Sequence, residues 1–253
     1  MSLEAKKSIF ADKCHKMSLE KHIAIEKNLN AAFDLEELKK RLQKKDYEKL
    51  METKQKLTFQ KGETIFEDGE FPKGVYFIRK GTSKLSQSGS YGKDQILRFI
   101  KEGDMIGYRS LLCGEPFQAK AEAMTDMEIT FIPADVFLHL LEADSVMAYA
   151  MLQKIAYELG ESANRITFLA QKTVRERLAE ILLLLEQKLG TDPEGFIKIV
   201  LTREEVANLI GTATESAIRL ISEFKSDNLI EVDGRNFKIL NHEKLIKLGH
   251  VSM

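Results

Sequence analysis

Apolar positions recur along this chain with four different rhythms, and each predicts a different kind of structure. Residues 1–52 are rich in Lys, Glu and Leu and contain neither Pro nor Gly. Helical spacing is clearest over 34–42, so short helices leading into the next unit are expected. From 53 to 144 the rhythm shortens. Glycines at 62, 69, 74, 81, 89, 92, 103, 107 and 114 separate brief β-prone runs such as Val75-Tyr76-Phe77-Ile78, Gln95-Ile96-Leu97-Arg98-Phe99-Ile100 and Met127-Glu128-Ile129-Thr130-Phe131-Ile132. Turn signals such as Glu67-Asp68-Gly69-Glu70 lie between them, where glycine supplies the positive φ that tight turns need. Short strands so punctuated predict an all-β sandwich or jelly roll.

Residues 145–172 carry Gly160 but no Pro. Apolar or small side chains fall at Ala148, Leu152, Ile155, Leu159, Ser162, Ile166 and Leu169, in alternating steps of four and three that form a heptad seam. A helix of roughly 40 Å, at about 1.5 Å per residue, needs a partner along that stripe. A self-pairing dimer helix is expected; packing on its own domain is the alternative.

The last rhythm, over 173–253, is mixed. Val174, Leu178, Ile181, Leu182 and Leu185 outline a buried helix ending near Gly190 and Pro193, and Phe196-Ile197-Lys198-Ile199-Val200 reads as a strand. Thr202-Arg203-Glu204-Glu205 has the form of a capping box. It opens a helix whose apolar face is Val206, Leu209 and Ile210, with the small Ala207 allowing close packing. Gly211 stands where a helix C-cap needs the left-handed conformation, and a second helix follows through Phe224. Two short helices joined by a Gly turn are a helix-turn-helix. Beyond them, two alternating runs flank Asp233-Gly234, a strong hairpin signal that makes a wing.

Composition narrows the function classes. A chain of 253 residues, 43% apolar and 30% charged, suits a soluble protein of two domains. No apolar leader follows the charged opening residues, and the longest aliphatic run, 181–185, is far too short to span a bilayer; a cytoplasmic protein without a membrane partner is expected. Two cysteines, Cys14 and Cys113, make no disulfide framework. The histidines at 15, 22, 139, 242 and 250 are scattered. No metal-ligand cluster, nucleophile–base motif or phosphate loop is legible, so neither an enzyme nor a cofactor is expected. Charge does not announce nucleic acid: the formal net charge is −1, and residues 172–253 hold 12 Lys and Arg against 13 Asp and Glu. Positive charge must then be arranged locally.

The second helix of the motif supplies the candidate chemistry. Glu215 and Arg219 are four apart and share a face. A carboxylate can accept from cytosine N4, and a guanidinium can donate twice to guanine O6 and N7. Thr212, Thr214 and Ser216, near the helix start, can donate to phosphates. The same residues also fit a bland alternative, a second capping box from Thr212 to Glu215 and a surface ion pair between Glu215 and Arg219.

The ordered set of motifs resembles the Crp/Fnr family of bacterial transcription regulators. It comprises Gln60-Lys61-Gly62-Glu63-Thr64-Ile65-Phe66, Gly74-Val75-Tyr76-Phe77-Ile78-Arg79-Lys80-Gly81, Glu102-Gly103-Asp104-Met105-Ile106-Gly107, Val174-Arg175-Glu176-Arg177-Leu178, and the run from Leu201 through Gly211 to Arg219. The resemblance implies an α+β protein: an N-terminal double-stranded β-helix (jelly-roll) sensor domain, a long dimerisation helix and a C-terminal winged helix-turn-helix. It implies a homodimer on pseudo-palindromic double-stranded DNA, with Glu215 and Arg219 reading a G·C-containing half-site and RNA polymerase as a further partner. Two positions depart from the pattern. Ala213 stands where many members carry a Ser or Thr cap, and Thr214 where the cyclic-AMP receptor branch has Arg.

The resemblance places an effector pocket near Gly107, Tyr108, Arg109 and Gln118. Cyclic-AMP-binding members have a Glu just after the Gly-rich turn and an Arg-Ser pair further on. Here those positions are Tyr108 and Gln118-Ala119, so an effector other than cyclic AMP, or none, is expected. Oxygen-sensing members carry an N-terminal cysteine cluster, and Cys14 alone does not make one. A cyclic-nucleotide-binding regulatory module without a DNA role is the rival reading.

Overall fold

The computed structural model describes residues 25, 28–89, 92 and 94–251. Cys14, His15, His22 and most of the first half of the lead-in lie outside them. The lead-in continues as α1 (Leu35–Arg41) and α2 (Lys44–Thr53). Asp34 caps α1 by accepting from the Glu36 amide. Eight strands follow: β1 (Gln55–Phe59), β2 (Thr64–Phe66), β3 (Gly74–Lys80), β4 (Ser83–Ser88), β5 (Asp94–Ile100), β6 (Met105–Ile106), β7 (Lys120–Ala123) and β8 (Met127–Pro133). They form two antiparallel four-stranded sheets, β1-β8-β3-β6 and β2-β7-β4-β5, as a jelly roll requires. A short helix, α3 (Tyr108–Cys113), interrupts them after β6.

The apolar run in β3 has no polar alternation because both of its faces are buried. Tyr76 and Ile78 point into the roll, among Phe66, Ile106, Phe117 and Ile129. Val75 and Phe77, of opposite parity, point outward into a second core with Phe33, Leu38, Leu50, Phe137, Leu140 and Met147. That second core is where α1 and α2 pack on α4 (Ala134–Ala143). The described part of the lead-in therefore belongs to the folded body.

Helix α5 (Ser145–Gln171) covers the span that the heptad rhythm predicts. Asp144 caps it by accepting from the Val146 amide at 3.0 Å. Its inner face, with Met147, Ala150, Met151 and Lys154, is buried. Its outer face is not: Leu152, Leu159 and Ile166 are 62%, 71% and 69% exposed in the single chain.

The C-terminal unit comprises α6 (Val174–Leu189), α7 (Arg203–Ile210), α8 (Thr214–Ser226), the hairpin β9 (Ile230–Asp233) and β10 (Asn236–Ile239), and α9 (His242–Gly249). Capping boxes open α6, at Thr173 and Glu176, and α7, at Thr202 and Glu205. Each cap is worth about 1 kcal/mol.

Two local expectations change. Residues 196–200 form no strand; a single bridge joins Thr191 and Ile197. The amides there go to unrelated partners: Phe196 to the Asp192 carboxylate, Ile197 to the Phe237 carbonyl and Lys198 to the Gly190 carbonyl. No single ladder can form from such bonds. The wing turn is also shifted by one residue. Asp233 pairs with Asn236, so the two-residue loop is Gly234-Arg235, with Gly234 at φ 56°. Helix α9, capped by Asn241, goes beyond the elements that the sequence pattern predicts.

Candidate nucleic-acid interface

The helix-turn-helix is built from its turn outward. Gly211 closes α7 at φ 63°, ψ 56°, its amide donating to the Ala207 carbonyl. A Cβ there would lie 3.0 Å from the Arg177 guanidinium and 3.2 Å from Leu169, so both backbone geometry and packing select glycine. Ala207 and Ala217 are buried where α7 meets α8, and Ile221 and Phe224 complete the inner face of α8.

That inner face fixes the outer one. Glu215 and Arg219 are both exposed, one turn apart on α8. No ion pair or hydrogen bond joins the side chain of either to another of the described residues. The second capping box does not form. The cap residue is Ala213, whose side chain has nothing to offer, and Glu215 then occupies the second helical position rather than the third. Thr212, Thr214 and Ser216 are half-buried around that same helix start. Glu215 and Arg219 thus share one face of α8, Thr214 and Ser216 lie in its first turn, and Thr212 lies just ahead of its cap.

The structure adds three arginines to them. Arg235 is exposed at the tip of the wing. Arg203, in the first turn of α7, lies over the Phe237 ring at 5.3 Å and donates to the Gly234 carbonyl at 3.0 Å, tying wing to motif. Arg177 lies beneath the turn, donating to the Gly211 carbonyl at 3.5 Å, and burial pulls its pKa down. The position of Arg235 in the Asp-Gly-Arg tip is legible in the sequence; the roles of Arg177 and Arg203 depend on distant partners and are not.

The motif does not float free of the roll. Lys84 on β4 pairs with Glu205 of the α7 capping box at 2.7 Å and with Glu122 on β7 at 3.0 Å. Burial opposes the Lys84 charge, but its two carboxylate partners raise its pKa overall; burial would raise Glu205, and Lys84 with Thr202 hold it below the usual carboxylate range. The Gln95 amide donates to the Asn208 carbonyl. Arg165 on α5 donates to the Ile96 carbonyl at 2.9 Å, and Ile96 itself joins the core of the C-terminal unit.

The candidate effector residues separate. Gly107, at φ 90°, turns the chain into α3. Tyr108 is fully buried in the core beneath the long helix. Its hydroxyl lies near Arg98 and Glu158 without a well-aligned hydrogen bond to either, and burial pushes its pKa far above the usual phenol range. Arg109 and Gln118 instead meet on the surface at 3.2 Å, sharing Glu115. Inside the roll, Phe66 and Phe117 stack at 3.9 Å and Tyr76 packs beside them. Surface clefts of about 350 and 360 Å³ lie elsewhere, beside Arg175 and Lys244 and beside Lys54 and Arg79. Among the described residues no group of three or more His, Cys, Asp or Glu could hold a metal ion. No described helix is long and apolar enough to cross a membrane.

A jelly roll joined by one long helix to a winged helix-turn-helix defines a class of DNA-binding regulators. Residues 56–144 match the family of cyclic nucleotide-binding domains, and residues 176–248 match the Crp-like helix-turn-helix domain. The fumarate and nitrate reduction regulatory protein of Vibrio cholerae is 28% identical over 200 residues, 78% of this chain and 79% of that protein. A CRP-like cAMP-activated global transcriptional regulator of Mycobacterium tuberculosis is 26% identical over 195 residues, 76% of this chain and 87% of that one. The fold is that of a transcriptional regulator of the Crp/Fnr family from Eubacterium rectale, at a TM-score of 0.73 and 20% identity, over 84% of this chain and 97% of the other. This chain belongs to the Crp/Fnr family, whose members are transcription regulators and not enzymes.

Proposed function

We propose that this regulator reads a pseudo-palindromic DNA site as a homodimer, with Glu215 and Arg219 as its base readers. The observation that carries this is the exposed pair on α8, whose opposite face is locked into the core by Ala217, Ile221 and Phe224. An Arg without a protein partner, four residues from a Glu likewise unengaged, suits the donor and acceptor pattern of a G·C pair in the major groove. A TGA-like core is the expected half-site. Thr212, Thr214 and Ser216 supply phosphate contacts around the start of α8, and Arg235 supplies another from the wing.

The dimer follows from α5. Its heptad seam is the exposed face, and covering Leu152, Ile155, Leu159 and Ile166 would recover part of the roughly 1.5–3 kcal/mol that full burial of each large apolar side chain brings. A second copy of the same stripe is the self-complementary cover. On this reading the chain divides into a helical lead-in (1–52), a roll (53–144), a dimer helix (145–172) and a DNA-reading unit (173–253). RNA polymerase is the further partner, and the cytoplasm the working compartment.

The input is an effector other than cyclic AMP, or none. Tyr108 and Gln118 supply no phosphate-binding cation, Arg109 is engaged with Gln118 and Glu115, and Phe66 and Phe117 fill the roll. The match to a cyclic nucleotide-binding domain keeps one second reading in play, a nucleotide-responsive module. Calorimetric titration with cyclic AMP and cyclic GMP separates the two: no heat is expected, and tight binding would reverse the assignment.

Selection of binding sites from random duplex DNA tests the output. Enriched sequences should hold two inverted half-sites with centres about one helical turn, roughly 34 Å, apart. Sedimentation should show a dimer at low concentration. A folded monomer, or enrichment of a single half-site, would overturn the dimer.

A further inference from the structure

Helix α5 meets the rest of the chain through a buried polar junction that neither family match includes, because Asn30 lies ahead of residue 56 and Lys154 and Glu158 lie between the two matched segments. The Lys154 side chain is almost wholly buried. Its ammonium donates to the Asn30 side-chain carbonyl at 2.9 Å, lies 3.5 Å from Glu158, and sits 5.6 Å from the centre of the Tyr108 ring. Asn30 in turn donates to Asp104, beside β6, at 3.2 Å. Arg98 on β5 closes the group by pairing with Glu158 at 2.8 Å. Eleven residues on from Asn30, Arg41 pairs with Asp144, the cap of α5, at 2.9 Å and donates to the Ala32 carbonyl at 2.6 Å. Phe33 fills the space between as part of the apolar core.

The lead-in therefore holds α5 at its cap and again at Lys154, ten residues or roughly 15 Å along the helix. A buried ammonium tolerates its place only while its hydrogen bonds are made. Deprived of one, the charge favours any rotation of α5 that carries it toward water. On a single helix, turning Lys154 outward turns Leu152, Ile155 and Leu159 away from their present direction.

We propose that Asn30 is a positioning residue for DNA reading: by bridging Lys154 and Asp104, the lead-in fixes the rotation of α5 and so the face offered to the second copy. This rests on the homodimer reading of α5.

The test uses the full chain with no small molecule added. Wild-type protein is measured first, for the dimer dissociation constant by sedimentation and for affinity to its selected DNA site. If the wild type forms no dimer or binds no DNA, the proposed function fails, and the positioning role of Asn30 falls with it. With wild-type binding in hand, Asn30→Leu should weaken dimerisation and site-specific binding by about tenfold or more each, as expected for one lost charge-assisted bond worth at least ~1.4 kcal/mol. The measurement is made well below the melting temperature, with an unchanged circular dichroism spectrum. In Asn30→Leu/Lys154→Met the charge that needed the amide is gone, and both affinities should return to within about threefold of wild type. A lowered melting temperature with both affinities intact would make Asn30 a structural residue only and overturn the proposal. So would a double variant no better than Asn30→Leu. Should Asn30→Leu fail to fold, the double variant set against Lys154→Met alone decides: equal affinities support the coupling, and unequal ones refute it.

Discussion

The jelly roll and the winged helix are assembled from the same devices, glycine turns and apolar faces, yet they present opposite surfaces. In the roll, side chains that could receive a ligand are packed or paired within the chain. Phe66 stacks on Phe117, Tyr108 lies under the long helix, and Arg109 is held by Gln118 and Glu115. On α8 the inner face is equally well packed, but Glu215 and Arg219 are left in solvent with no protein partner among the described residues. Side chains already provided for inside the chain leave a closed surface, whereas unengaged donors and acceptors on a rigid helix ask for a partner outside it.

Substitutions in each region should separate these roles. Phe117→Ala should have the largest effect, about 3–5 kcal/mol of unfolding free energy by urea denaturation, with DNA sequence preference unchanged below the transition. A change of preference would mean that the roll takes part in reading. Gly211→Ala forces an L-residue into the left-handed region and against Arg177 and Leu169. It should cost about 1–2 kcal/mol of stability and weaken DNA binding as well, since the turn carries α8.

Lys84→Met tests whether the two regions are independent. Lys84 is the cation shared by Glu122 and the Glu205 capping box, and its loss should cost about 1 kcal/mol in this partly screened setting. Thermal unfolding should then split toward two transitions; a single unshifted one would show that the pairing contributes nothing.

The smallest effect is one of pH. Burial would raise Glu158, but Arg98 and Lys154 hold it low, and Glu205 is held low likewise by Lys84 and Thr202. Groups depressed in the folded state contribute fully above their unfolded pKa of about 4.3, and that contribution fades as pH falls through the lower folded values. Glu205→Gln should flatten the fall in stability below about pH 4.3, followed by circular dichroism.

What is legible in the sequence is local. Thr202, Glu205 and Gly211 define their helix within ten residues, and the heptads of α5 repeat inside one element, so spacing alone reveals them. The seat of the reading unit on the roll is not legible. Lys84 and Glu205, or Gln95 and Asn208, are more than a hundred positions apart, and nothing in either neighbourhood marks them as partners. Residues 196–200 mislead because alternating apolar side chains there pack into the core from an irregular backbone. The lead-in conceals its part for a related reason: Asn30 and Arg41 look ordinary until the fold brings Lys154 and Asp144 to them.

The central claim is that an unengaged pair on α8 reads bases, and one measurement meets it directly: binding-site selection repeated on Arg219→Ala beside the wild type. Loss of the guanidinium should cost about 1–3 kcal/mol in affinity and relax the preference at one G·C pair in each half-site, leaving the other positions as they were. An unchanged selected motif would contradict the assignment of Arg219 as a base reader.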